Sequence, residues 1–557
     1  MKFLWLDINA SYSHSSLALP SLEAQIGEHT GKQIEWQVVS GTIKSNKDEI
    51  ISQIISYSPN YIFATGWLFN IEYLISVLRK TNALLEHCKI VLGGPEFLGD
   101  NQRFLQENQF VTAVFKGDGE EVFSKMAEIV VNDNNSLEWL SLPGFEYLKE
   151  DLSGYKKYIQ KDCVKCSDFC NLKAPEESQF FNWDKAFVQL ETSRGCFNSC
   201  RFCVSGIDNS PVQNIPIHTI RERLKHIASK GIKEIRILDR TFNANAKRAT
   251  DMLMLFEEFE GILKFHLEVH PALLNDGLKE KLSHIPANLL HVEAGIQSLN
   301  DNVIENCRRK GRCENAINGL KFLLSSGKFE VHTDFIAGLP EYSYNMLVED
   351  ICKMISLHPH EIQLELLKLL PGTYFRDNSD KLGIKFSPEP PYEVLQTPAI
   401  SFDELCKSMV ISKMIDYWYN DESWRTVFGN IATKECDFIN KFADHLYKTA
   451  FMEHTYSFEG KSNILYQFCK NEYPQYLINI TLGWIKNGLS IKKEPAGQLK
   501  MWHFTNNTIN NPVLEENNVY NCYYYLDYKD ERHWFVFNKH ILRDKPITYF
   551  KEIITKS

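Results

Sequence analysis

Residues 191–203 read ETSRGCFNSCRFC. The run KAFVQLETS (185–193) that leads into them reads as a strand ending in polar residues, so Cys196, Cys200 and Cys203 follow a strand directly. Their C-x3-C-x2-C spacing lies in a loop short enough to bring all three sulfurs to one face. Clustered thiolates hold iron–sulfur clusters, and three of them on a four-iron cubane leave one iron with open coordination positions. The plainer alternatives are a zinc site with a distant fourth ligand, although zinc sites favour paired spacings, or thiols that are merely close.

Working outward, residues 186–398 alternate strand-like and helix-like segments. The strands are KAFVQLETS, EIRILDRTF, KFHLEVHP, LLHVEAGIQS, EVHTDFIAGLP and EIQLELLKLLPG, with helical stretches such as HTIRERLKHIASKG between them. Six β/α repeats predict a partial (β/α)6 barrel, fewer than the eight of a closed one. Residues 1–135 alternate in the same way through KFLWLDI, IEWQVVSG, YIFATGW, KIVLGG and TAVFKGDG, which predicts a flavodoxin- or Rossmann-like parallel sheet wrapped by helices. In such a sheet ligands bind at the carboxyl ends of the strands, where residues 9–16, 66–70, 93–96 and 117–120 gather. Residues 136–185 break the rhythm and read as a connector. From 399 to 557 the pattern is mainly helical, and NVYNCYYYLDY and RHWFVFN around KDE read as a terminal β-hairpin whose aromatic face packs on the helices or stacks on a flat substrate. The fold class is therefore α/β in three parts.

The chain has 557 residues, of which 44% are hydrophobic and 24% charged, as in ordinary globular proteins. A net charge of -10 disfavours a nucleic-acid partner. The opening MKFLWLDINASYSHSS reaches Asp7 after too few apolar residues for a secretory leader, and no run is long enough to span a membrane, so the expected compartment is cytoplasmic. Fourteen cysteines without a secretory leader point to metal rather than to disulfides where they cluster.

With the cysteine motif, the strands of residues 186–398 resemble the radical S-adenosylmethionine (SAM) superfamily, most of all proteins of the coproporphyrinogen-oxidase-like type. The resemblance implies a 4Fe-4S cluster on Cys196, Cys200 and Cys203, with SAM chelating the open iron, and reductive cleavage of SAM to a 5'-deoxyadenosyl radical. It places Phe202 as cluster shield and adenine neighbour, Glu268 at the SAM amino group, and Gln297 and Asp334 at the ribose hydroxyls. Arg309, twelve positions after Gln297, falls at the SAM carboxylate, which its fork matches bidentately. Asp239, Arg240 and Thr241 line the methionine part, and Ser298 and Gly338 complete the SAM set. Glu293 either faces this site or pairs with Arg308 inside the barrel.

A Rossmann-like sheet before such a barrel resembles the cobalamin-binding subgroup, and the whole chain resembles a family of that subgroup whose C-terminal domain has no assigned role. Ser13 and His14, Gly93 and Gly94 in GGPEF, and Gly117 in GDGEE stand where the subgroup places its cobalamin loops. The D-x-H-x-x-G motif of histidine-ligated cobalamin is absent. The resemblance implies cobalamin-dependent C- or P-methylation of a small molecule or peptide, or else cyclisation or rearrangement without methyl transfer. It also implies an external electron donor such as flavodoxin or ferredoxin. A non-catalytic cobalamin or SAM sensor is the alternative of another class, and the intact motif argues against it. Methylthiotransfer needs three cysteines in the first domain, where this chain has only Cys88. In the connector, Cys163, Cys166 and Cys170 are spaced C-x2-C-x3-C; an auxiliary iron–sulfur cluster, a structural zinc and unliganded thiols all fit. Tyr12, His14 and His270 are further strand-end candidates, more simply satisfied polar groups.

Overall fold

Lys2–Asn9 (β1) buries every residue from Phe3 to Leu6. A strand covered on both faces belongs in the middle of a parallel sheet. β1 runs parallel to Glu35–Thr42 (β2) and Tyr61–Thr65 (β3), and Lys89–Gly93 (β4) and Ala113–Phe115 (β5) continue the sheet in the order β2-β1-β3-β4-β5. One face packs Leu4, Leu6, Ile62 and Leu92 with residues of the helices Lys47–Tyr57 and Ile71–Leu84; the other packs Phe3, Trp5, Phe63 and Val91 with Phe123 and Met126 of the helix Glu120–Asn132. These details come from a computed structural model that describes all residues except 12–15, 134–135, 207–210, 499, 503–520, 539–544 and 554–557.

Two further strands, Phe145–Glu150 (β6) and Lys156–Ile159 (β7), extend the sheet antiparallel beyond β5. They fall in the stretch read from sequence as a connector. FEYLKE and KKYI are short and rich in charge, so they lack the apolar alternation that marks a strand.

The barrel strands are Phe187–Leu190 (β8), Glu234–Ile237, Lys264–Val269, Leu290–Gln297 and Glu330–Ala337. Between the first two of these, Ser193–Arg194 (β9) and Gln213–Asn214 (β10) form a small antiparallel pair around the cysteine loop, so the remaining four are β11 to β14. β8 and β11 to β14 pair in parallel in the order β14-β13-β12-β11-β8. The sixth strand in sequence, Glu361–Leu366, straddles a division of the chain into two compact units, Met1–Met346 with Glu365–Leu405 and Leu347–Leu364 with Cys406–Ser557.

The second unit is built on helices Glu422–Lys434, Phe438–Lys448, Phe458–Glu472 and Leu477–Lys486. Trp418, Trp424, Phe428, Phe438, Phe442 and Trp484 are its fully buried core. Polar atoms of that core are satisfied, as where Trp424 Nε1 donates to Ser462 Oγ at 3.0 Å. The expected terminal hairpin, Asn521–Tyr528 with Glu531–Asn538, is the centre of a four-stranded antiparallel sheet completed by Lys500–Trp502 and Thr548–Ile553. Trp534 and Tyr523 are buried and pack with Phe550 within it. Among the described residues no helix is long and apolar enough to cross a membrane.

Candidate active site

The loop after β8 is fixed by its backbone. Cys203 N donates to Cys200 O at 3.1 Å and Gly206 N to Cys203 O at 3.0 Å, so two successive turns wind the chain around Cys200. A Cβ at residue 206 would sit 2.6 Å from Cys200 O, which only glycine avoids. The loop is anchored from the segment after β13: Arg201 N donates to Cys307 O, Lys310 N to Asn198 Oδ1 and Lys310 Nζ to Phe197 O. Cys196, Cys200 and Cys203 are free thiols. Cys200 is buried beside Arg309, and Cys196 Sγ lies 4.0 Å from Thr241 Oγ1. Among the described residues no three His, Cys, Asp or Glu side chains converge on a single-ion site. A mononuclear zinc needs its thiolates about 2.3 Å from one point, whereas cubane thiolates are spread over different irons.

Asp239, at the end of β11, is spent on this loop's entry. Its carboxylate accepts from Thr192 N at 2.8 Å, Thr192 Oγ1 at 2.5 Å and Ser193 N at 2.8 Å. Only its neighbours Arg240 and Thr241 are left to face outward with their side chains. Glu268 on β12 lies on the inward face, its carboxyl pushed up to about 7 by burial against the pull of Arg240.

At the end of β13 a bulge between Gly295 and Gln297 puts Gln297 at φ 64°, which re-aims its side chain back across the strand. Arg309 crosses the same point, donating from Nη2 to Gly295 O at 2.8 Å. A Cβ at 295 would fall 2.8 Å from Gln297 Nε2 and 3.3 Å from Arg309 Nη2, so the glycine is the gap that lets both side chains meet there. Gln297 Oε1 and Asp334 Oδ1 are buried with no hydrogen-bond partner in the protein. Such acceptors are costly unless something else satisfies them. Ser298 is buried and its hydroxyl accepts from Asn300 N, while Gly338 has φ +88° beside Val394. Glu293 resolves to the lumen: its partner is His266, at 3.1 Å, not Arg308. His270 is buried beside Phe197, with neither ring nitrogen hydrogen-bonded and its pKa pushed down to about 3 by burial and by Arg309.

A cavity of about 630 Å³ joins the two sheets of the first unit. Its wall on one side is the carboxyl edge of β3, β4 and β5, with Gly93, Gly94 and Gly117, and on the other Arg194, Cys196 and Arg240. A Cβ at Gly93 would make only ordinary contact, 3.9 Å from Phe115 Cβ. Gly94 and Gly117 have φ of +105° and +117°, and a side chain on them would strike Thr65 and Val164. Ser13, His14 and Tyr12 lie outside the described residues.

Arg194 ties the two walls together. Its guanidinium is bidentate to Glu191, reaches Glu120 Oε1 at 2.8 Å and lies 4.4 Å over the Phe169 ring. The connector cysteines stand on the same hub but face apart. Cys163 Sγ turns to Val164 O, Cys166 lies 4.0 Å from Glu121 Oε1 with its thiol pushed up to about 11 by burial, and Cys170 Sγ lies 3.1 Å from Asn214 O. Their loop is clamped by backbone instead, through Asp118 N to Val164 O and Gln213 Nε2 to Cys166 O. Sequence reasoning gave no sign of the Arg194–Glu120 pair or of His266 with Glu293. The strand alternation of KFHLEVHP and LLHVEAGIQS does place the last two on one face.

Residues 190–352 match the family described as the Radical SAM superfamily. The chain carries a Radical SAM domain. Residues 380–491, downstream of that Radical SAM domain, match a family described as a protein of unknown function, DUF4080. Among curated relatives, the tRNA-2-methylthio-N(6)-dimethylallyladenosine synthase of Chromohalobacter salexigens is 25% identical over 167 residues, which are 28% of this chain and 37% of the relative. The chain thus spans well under half the length of that relative. Among solved structures, the radical SAM methyltransferase TsrM from Kitasatospora setae, with tryptophan substrate and a SAM analogue bound, has a TM-score of 0.54 at 13% identity, covering 70% of this chain and 79% of its own. The cobalamin-dependent radical SAM enzyme OxsB with aqua-cobalamin bound has a TM-score of 0.57 at 13% identity, covering 86% and 78%. These likenesses establish a shared α/β fold that includes the sheet upstream of the Radical SAM domain.

Proposed function

We propose that the chain is a cobalamin-dependent radical SAM enzyme that methylates an unreactive carbon or phosphorus. The observation that carries this reading is the 630 Å³ cavity with the glycine edge of a Rossmann-like sheet on one wall and Cys196 on the other. Cys196, Cys200 and Cys203 hold the 4Fe-4S cluster. Arg309 takes the SAM carboxylate and Glu268 its amino group, and the orphaned oxygens of Gln297 and Asp334 find partners in the ribose diol. Gly93, Gly94 and Gly117 let a corrin lie close against the ends of β4 and β5. When bound, the cluster supplies the electron that splits SAM reductively, and cobalamin supplies the methyl group.

The residues of the chain orient and enclose. Asp239 fixes the strand end that feeds the cysteine loop, and Phe63, Val91 and Phe123 give the cavity an apolar stretch of wall. Cys88, the one cysteine of residues 1–135, is buried in the sheet core and does not line the cavity, which disfavours methylthiotransfer.

The test is anaerobic reconstitution with iron and sulfide, then reduction in the presence of SAM. Expected results are a brown protein, release of 5'-deoxyadenosine, and co-elution of added hydroxocobalamin at about one per chain. No 5'-deoxyadenosine would overturn the enzyme reading, and no co-elution would remove the cobalamin half of it.

A further inference from the structure

β12, β13 and β14 bury alternate residues outward and turn the others into the lumen. The inward series is His266 and Glu268 on β12, His291 and Glu293 on β13, His332 and Asp334 on β14. Register sets His266 beside His291, Glu268 beside Glu293, and Glu293 beside His332. Closed barrels fill such positions with Val, Ile and Leu. Here they are polar, and two of them are reachable: the Glu293 side chain is 34% exposed and that of His266 17%.

The hydrogen bonds of this layer have a direction. His266 Nε2 lies 3.1 Å from Glu293 Oε2, and a carboxylate only accepts, so Nε2 donates. His291 Nδ1, 3.3 Å from Glu330 Oε2, donates for the same reason, so its Nε2 accepts from His332 Nδ1 at 3.3 Å. His266 and His291 stack with ring centroids 4.4 Å apart. Glu293 also faces the Asp334 carboxyl, whose pKa burial and the Glu293 charge push up. The one donor from His266 leaves most of the roughly four acceptor sites of the Glu293 carboxylate open. The bond from His266 holds that carboxyl below its ordinary range, so it stays anionic. Arg236, beside His266 on the neighbouring strand, is directed elsewhere, 3.8 Å over the Phe187 ring and 3.5 Å from Glu234.

We propose that this lumen face recognises the substrate of the reaction put forward above, and that the group it recognises is a nitrogen cation, an ammonium or guanidinium, bonded to the Glu293 carboxylate. That carboxylate sits in a partly enclosed lumen where its field is strong. Glu293 and Glu268 are neighbours across two strands about 4.8 Å apart, so the anchored nitrogen lies next to the residue put forward for the SAM amino group. The inference rests on the radical SAM reading for its chemistry but not for its measurement.

The test uses the reconstituted full chain saturated with S-adenosylhomocysteine, so that the place of the SAM amino group is filled. Butylamine, butanol and butyrate are titrated as matched probes, with binding followed by saturation-transfer NMR. Butylamine is expected to bind at least tenfold more tightly than the other two, Glu293→Gln to remove that preference, and Glu293→Asp to keep it at reduced affinity. Equal binding of butyrate or butanol, or full butylamine binding by Glu293→Gln, overturns the proposal, as does loss of binding in Glu268→Gln with Glu293→Gln unaffected. Binding of S-adenosylhomocysteine is read separately, so its absence would count against the radical SAM reading and leave the amine result standing.

Discussion

The two parallel sheets of the first unit are made of similar strands and differ in one face. β1, β3 and β4 are apolar on both sides, with Phe3 to Leu6 buried in succession. β12 to β14 bury their outer face, and the alternate inward positions include His266, Glu268, His291, Glu293, His332 and Asp334. The first sheet keeps its chemistry at its edge, in the glycine loops, and uses both faces for stability. The barrel gives one face to stability and leaves the other for ligands, which a sheet of six strands permits because its lumen need not be filled to close.

Substitutions should separate the two roles. Cys200→Ala should lose the cluster altogether, read as absent iron and no 5'-deoxyadenosine, while its thermal unfolding without metal stays near that of the parent. Retained cleavage in that variant would sink the site. Leu4→Ala, in the doubly covered strand, should destabilise by about 2–5 kcal/mol in a urea titration, because it leaves a cavity in a close-packed core. A pH-dependent effect belongs to the lumen. Burial and the Glu293 charge raise Asp334 to about 8 in the folded chain, whereas the unfolded side chain titrates near 3.9. The folded state then holds a proton that the unfolded state has lost, so this stability is full below about pH 4 and disappears as pH rises through 8. Unfolding midpoints of the metal-free chain should fall between pH 5 and 8, and Asp334→Asn should flatten the fall; an unchanged slope would refute the assignment. Glu268, raised to about 7, retains part of it. Last, His291→Leu should cost under about 1.5 kcal/mol or stabilise, since a partly exposed imbalanced polar layer contributes little to folding.

Much of this was legible in the chain itself. The strands of both sheets, the cysteine loop and the glycine edge follow from alternation and punctuation that act locally. The two strands at 145–159 were not, because their sequence carries few apolar residues and they are held by an edge already formed. Partnerships between distant residues were also hidden. Asp239 reads as one more polar strand end until its carboxylate is found on Thr192 and Ser193, and Glu293 reads equally well toward Arg308 until its register beside Glu268 puts it near His266. Spacing shows which face a residue takes, while its partner depends on packing that only the folded chain supplies.

Arg194 has a consequence for dissecting the protein. A chain begun at residue 186 would still hold every barrel strand and all three cysteines of the motif, yet the guanidinium at the root of the loop would lose Glu120 and the Phe169 ring and keep only Glu191. The barrel is therefore not a detachable module. Its root is shared with the sheet upstream, and fragments should be cut so that residues 118–120 and 191–194 travel together.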